Sequence, residues 1–284
     1  MSPSNGPQTT AAPHAQAEAG ALSDDAIVDH MIARIQASKT LTEPYEFAIV
    51  SEALPASFYK HVEAVYPAPH DGRDYGLKTT KDRRKTENDG YSERRMSLNP
   101  DKLDDDVLGR IPEHIRQLFR VMTHKRLGAA MIGPFSSTVN RMTRAHLERM
   151  GLKPGAHKVT LKNGVEVIYD QTGFNLAPHT DGQAKVVTAL LYFPHPDDAE
   201  DMGTHLYAAK DPDSLLPIHL SGEKALTASE AIHCGYAPYR PNTMLLFART
   251  NHSFHGVPMS ASTQARRVVQ AAINFTGGVE PLKT

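Results

Sequence analysis

Four residues, Pro178-His179-Thr180-Asp181, offer the clearest chemistry in the chain. In an extended segment, side chains two positions apart point to the same side. His179 and Asp181 can therefore aim an imidazole and a carboxylate at one point. A further imidazole comes from Asn251-His252-Ser253-Phe254-His255-Gly256-Val257. Two histidines and one aspartate form a facial triad, which suits Fe(II) and leaves coordination positions open for oxygen and a co-substrate. An isolated His-x-Asp arises by chance in many sequences. Its weight here comes from the strand-like run after it and from the second histidine signal between two later runs of the same kind. Phe254, Gly256 and Val257 favour His255 over the nearby His252, and Asn251 fits either a partner that orients a ligand or a turn residue.

A third element is Arg266-Arg267, at the head of RRVVQAAINF. A co-substrate with a distal carboxylate needs a fixed, always-charged partner, and a guanidinium can hold it through a bidentate pair. Only one arginine of a consecutive pair can face inward from a strand. Leading with Arg266 puts Gln270 and Asn274 on its side, and leading with Arg267 puts Val269, Ala271, Ile273 and Phe275 there. Both choices stay open. His195 and His205 flank turns and read as surface or structural residues, and Cys234 reads as a passive small side chain.

The elements that must position these groups are short strands. After Gly151 come HKVTLKNGVEVIYD, KVVTALLYF, THLYAA, NTMLLFA and RRVVQAAINF, separated by Pro, Gly and Asp clusters. Lys162-Asn163-Gly164 reads as a hairpin turn between two β-rich runs. Strands without intervening helices predict an all-β sandwich or barrel. Upstream, residues 1–22 lack large apolar side chains and are expected to form a disordered tail. Ser23 is placed to cap a helix that buries Ile27, Met31, Ile32 and Ile35. Tyr45, Phe47 and Ile49 alternate as in a short strand, and Pro55 opens a second helix closed by Pro67. Residues 70–102 are charge-dense and read as a solvated loop or a flap that lends a basic group to an anionic substrate. Residues 104–131 read as helical. The first 130 residues thus read as a helical layer rather than as the site.

Composition bounds the rest. The 284 residues carry 31 Lys+Arg against 32 Asp+Glu, a net charge of −1, which gives no electrostatic case for nucleic acid or an anionic membrane as partner. One cysteine excludes an internal disulfide framework and a cysteine-rich zinc site. No apolar run approaches the roughly 20 residues that span a bilayer. The N-terminus has neither a basic start nor an apolar core, so a cytoplasmic location is expected. One domain over 23–284 is expected, with a helical layer and flap over 23–150 and a β core over 151–280.

The runs APHTDGQAKVVTALLYF, GTHLYAA, NTMLLFARTNHSFHGV and RRVVQAAINF, in that order, resemble the Fe(II)/2-oxoglutarate-dependent dioxygenases, in their prolyl-4-hydroxylase-like branch. The resemblance spans about residues 43–275 and is specific only from about 165. It implies a mainly β fold with a helical N-terminal layer, a double-stranded β-helix or jelly roll. It also implies a hydroxylase that uses Fe(II), 2-oxoglutarate and O2 and releases succinate and CO2. His179, Asp181 and His255 then match the iron ligands, and Arg266 or Arg267 the arginine that holds the far carboxylate of 2-oxoglutarate. Tyr192 and Tyr169 match tyrosines of that pocket, and Lys185 matches a lysine that a minority of relatives use. Gly203-Thr204 stands where a Gly-Gly pair is usual, and Val268 or Val269 replaces the serine of an Arg-x-Ser pattern. A small-molecule or peptide substrate and a monomer or homodimer are expected. The competing readings are a non-catalytic metal-binding jelly-roll sensor and a cupin-type enzyme that needs no 2-oxoglutarate.

Overall fold

The computed structural model describes residues 22–68, 94–213, 225–259 and 264–281, together with the backbone of a short strand at 78–79. The tail expected over 1–22, except Leu22, and most of the charged flap lie outside the described residues. In chain order the elements are α1 (Asp24–Ala37), β1 (Thr40–Leu41), β2 (Phe47–Ser51), α2 (Ala56–Ala64), β3 (Lys78–Thr79) and β4 (Arg95–Leu98). Helices α3 (Asp105–Arg110), α4 (Glu113–Met122), α5 (Lys125–Ile132) and α6 (Ser136–Arg149) come next. The remaining strands are β5 (His157–Asp170), β6 (Leu176–His179), β7 (Lys185–Tyr192), β8 (Thr204–Ala209), β9 (Ala231–Ala237), β10 (Thr243–Ala248), β11 (Phe254–Val257) and β12 (Arg266–Pro281).

Two antiparallel sheets result, one in the order β1-β2-β10-β7-β12-β5-β4-β3 and the other β6-β11-β8-β9. From β5 onward the chain passes repeatedly between them. β5, β7, β10 and β12 build the centre of the large sheet, while β6, β8, β9 and β11 build the small one. That interleaving is a double-stranded β-helix, the jelly roll, and residues of both walls line the cavity between them.

Alternation along β12 separates two cores. Val269, Ala271, Ile273 and Phe275 pack with Ile27, Met31, Leu118 and Met131 of the helices. Val268 turns the other way and joins Ile168, Leu190, Tyr192 and Phe247 between the sheets. A fully buried Val or Leu contributes about 1.5–3 kcal/mol by leaving water, so β7 anchors both cores through Val186, Val187, Ala189 and Leu191 in one and Leu190 and Tyr192 in the other. Ser23 caps α1 by accepting from Ala26 N; Ile27, Met31 and Ile35 are buried as the sequence predicts, while Ile32 is only half-buried against the same core.

Two expectations fail. Lys162-Asn163-Gly164 does not turn: β5 runs straight through it, with Gly164 opposite Ala272 and Asn163 opposite Ile273. The Asn163 amide instead donates to the carbonyl of His124 at 3.1 Å, and Gly128 of α5 lies against it. Continuous pairing with β12 and this helix contact outweigh the local turn preference. The first 130 residues are not only a helical layer. β2 carries the short strand read at Tyr45, Phe47 and Ile49, but β1 also joins the large sheet, and Arg95–Leu98, inside the supposed flap, form β4 against β5.

Candidate metal centre

Strands β6 and β11 pair so that His179 and His255 are direct cross-strand partners, with ring centroids 4.5 Å apart. Gly256 makes that approach feasible. A Cβ there would lie 2.7 Å from the carbonyl oxygen of Leu176 on the facing strand. Asp181 lies two residues beyond the end of β6, and the candidate ligand atoms of His179, Asp181 and His255 all lie within 4.8 Å of one another. All three residues are buried.

Each imidazole is set in one tautomer. His179 Nδ1 lies 3.0 Å from the carbonyl oxygen of Ala177, and His255 Nδ1 lies 3.0 Å from that of Ser253. A carbonyl only accepts, so Nδ1 carries the proton in both and Nε2 keeps a lone pair. Burial holds the His255 pKa below its ordinary value, which keeps the ring neutral. Burial acts against the charge on Asp181. Lys185 reverses that effect and holds the carboxyl well below the usual carboxylate range. Lys185 Nζ donates to Oδ1 and Thr188 Oγ1 to Oδ2, each at 2.6 Å, and Arg249 Nε donates to the Asp181 main-chain oxygen at 3.0 Å. Two neutral imidazoles and an ionised carboxylate are a donor set that fits a divalent cation.

The same cavity, about 490 Å³, extends from the triad to Arg266 and Arg95. Arg95, Asp170 and Arg266 form one row across β4, β5 and β12, since Asp170 is the register partner of both arginines. Arg95 donates Nε and Nη2 to the two oxygens of Asp170 at 2.6 and 2.8 Å, and Arg266 Nη1 donates to Oδ2 at 3.1 Å. Arg266 also donates Nε to Met202 O and Nη2 to Thr204 Oγ1. Two guanidinium groups that line the cavity thus share one buried carboxylate. A guanidinium in a cavity wall suits an anionic ligand beside it.

The register resolves the choice that the sequence leaves open. Arg266 faces the cavity with Val268, Gln270 and Asn274. Arg267 lies on the other face, donating to Phe193 O and Pro194 O over the ring of Tyr66. Tyr192 sits behind Arg266, and its hydroxyl donates to Thr204 Oγ1 at 2.9 Å. Tyr169 pairs across from Arg267 and does not line the cavity. His252 is exposed, and Asn251 accepts from Arg249 rather than from an imidazole of the triad. His205 bonds the exposed His233 at 2.8 Å on β8 and β9, away from the triad. Arg95, Asp170, Thr188 and Arg249 carry no motif that marks them in the sequence; only their neighbours on adjacent strands give them a place.

No family model matches the chain, and no curated protein matches it. Among solved structures it is similar to a prolyl 4-hydroxylase from Phytophthora capsici, at 11% identity and a TM-score of 0.47 over 93% of this chain and 69% of that one. It is also similar to SnoN, a non-heme alpha-ketoglutarate-dependent epimerase of nogalamycin biosynthesis, at 14% identity and 0.45 over 90% and 93%. A third is HygX from Streptomyces hygroscopicus, solved with nickel and 2-oxoglutarate bound, at 10% identity and 0.41 over 81% and 83%. These likenesses are of overall architecture only, and the chemistry of the site rests on its own side chains.

Proposed function

We propose that the protein is an Fe(II)- and 2-oxoglutarate-dependent oxygenase that hydroxylates a C–H bond of a small-molecule or peptide substrate. One observation carries the reading: the buried His179, Asp181, His255 cluster and the Arg266 guanidinium face one cavity. A dicarboxylate that chelates the metal at one end needs a fixed cation at the other, and Arg266 supplies it. Of its five N–H groups, three are engaged by Met202, Asp170 and Thr204. Among the described residues, one N–H on each terminal nitrogen is left for a carboxylate, and a guanidinium can hold one through two such bonds. Val268 stands beside it where a serine would add another donor, so the carboxylate relies on Arg266 itself. Bound together, iron and 2-oxoglutarate would activate oxygen, with release of succinate and CO2. The chain's own part is to fix the tautomers of His179 and His255, keep Asp181 ionised, orient the co-substrate and enclose the reaction.

The test is succinate formation from 2-oxoglutarate by the Fe(II)-loaded protein under air, monitored over hours to register the slow turnover that such enzymes show without substrate. Succinate formed by wild type and not by His255→Ala supports the reading. Tight metal binding with no succinate under any condition, including added candidate substrates, favours a sensor, and turnover independent of 2-oxoglutarate favours the cupin-type chemistry.

A further inference from the structure

Lys185 is a cation held against a metal ligand, an arrangement that needs a reason. Its Nζ lies 2.6 Å from Asp181 Oδ1, with the aspartate side chain 7% exposed and the lysine 24% exposed. The contact is built in. Lys185 opens β7, and its main-chain N–H donates to Gly182 O at 3.0 Å, closing the turn that brings residues 181 and 185 together. Lys185 is not needed to orient the carboxylate. Thr188 fixes Oδ2 and Arg249 fixes the main-chain oxygen. What the lysine adds is its charge.

We propose that Lys185 is a resident counter-ion for Asp181, which stabilises the metal-free centre and sets a low affinity for the divalent cation. The inference rests on the reading of His179, Asp181 and His255 as a metal centre. Buried without a partner, the carboxylate would destabilise the metal-free protein. With Lys185 in place, Asp181 and the ammonium sum to zero charge, so an arriving dication meets a neutral pair rather than an anion. It must either displace Nζ from Oδ1 or share the carboxylate with it, and both weaken its binding. A displaced ammonium stays in the cavity wall, where Lys185 is a lining residue. It would then be available to an anionic group of a bound ligand.

The test compares wild type, Lys185→Met and Lys185→Arg as full-length proteins stripped of metal by chelation. Mn2+ is titrated without 2-oxoglutarate and monitored by its EPR signal, and thermal unfolding is recorded with and without the ion. Lys185→Met is expected to bind Mn2+ roughly ten-fold more tightly, on the scale of one partly screened charge interaction. Its metal-free form is expected to melt below wild type, with the gap closing or reversing once Mn2+ saturates the site. Lys185→Arg keeps the charge and is expected to bind within about two-fold of wild type. Unchanged or weaker binding by Lys185→Met, with wild type binding normally, overturns the counter-ion role alone. Absence of Mn2+ binding in every variant overturns the metal centre itself and this inference with it.

Discussion

His179 on β6 and His255 on β11 are direct cross-strand partners, and a candidate ligand atom of each lies within 4.8 Å of one on Asp181. The geometry of the proposed metal site is therefore a property of sheet register, and Gly256 protects that register. Gly256→Ala would press a Cβ against the Leu176 carbonyl and separate the strands. The expected result is a folded protein by circular dichroism whose Mn2+ affinity falls about 10- to 100-fold, the range seen when a ligand loses the contact that orients it.

Arg266 and Arg267 differ in what they face, so their removal should separate cleanly. Arg266→Met is expected to raise the dissociation constant of 2-oxoglutarate roughly 100-fold, the loss of two charge-assisted hydrogen bonds. Arg267→Met, whose partners are the Phe193 and Pro194 carbonyls, should leave it within about two-fold. Calorimetric titration of the Mn2+-loaded proteins measures both.

Asp170 holds two buried arginines and is itself fully enclosed. Asp170→Asn would remove the carboxylate that pairs with both guanidinium groups, and about 3–5 kcal/mol of stability should be lost. Urea unfolding at neutral pH checks this. A loss below about 1 kcal/mol would mean that the row is not held by charge.

Acidification should weaken the metal-free protein through its histidines. Burial, then the charge of Arg149, lowers the pKa of His146, which stacks on Phe275 at 4.3 Å. Burial likewise lowers that of His205. With the folded value below the unfolded one, the unfolded chain takes the proton first. Stability is then full above the ordinary imidazole value of about 6.5 and declines as pH falls through it. The urea midpoint should drop between pH 7.5 and 5.5, and His146→Gln should reduce that drop.

Much of the site and the fold was legible in the sequence because ligands and strands leave local traces. His179-Thr180-Asp181 announces itself by a spacing of two, and the apolar runs of β7, β10 and β12 by their composition. Arg95 and Asp170 leave no such trace. Arg95 ends a charged run that reads as solvated loop, and only pairing with β5 buries it. Asn163-Gly164 misleads for the same reason in reverse, since a strong turn signal yields to partners far along the chain. Arg266 and Arg267 could not be told apart until β12 had a register.

The most direct measurement is an anaerobic titration of the Fe(II)-loaded protein with 2-oxoglutarate, monitoring the visible metal-to-ligand charge-transfer absorption, with His179→Ala and Asp181→Ala alongside. The account predicts an absorption band in wild type that saturates with 2-oxoglutarate and is absent from both variants. Iron bound without any band would contradict the shared cavity and withdraw the role of Arg266. A band that persisted in the variants would contradict the metal centre itself.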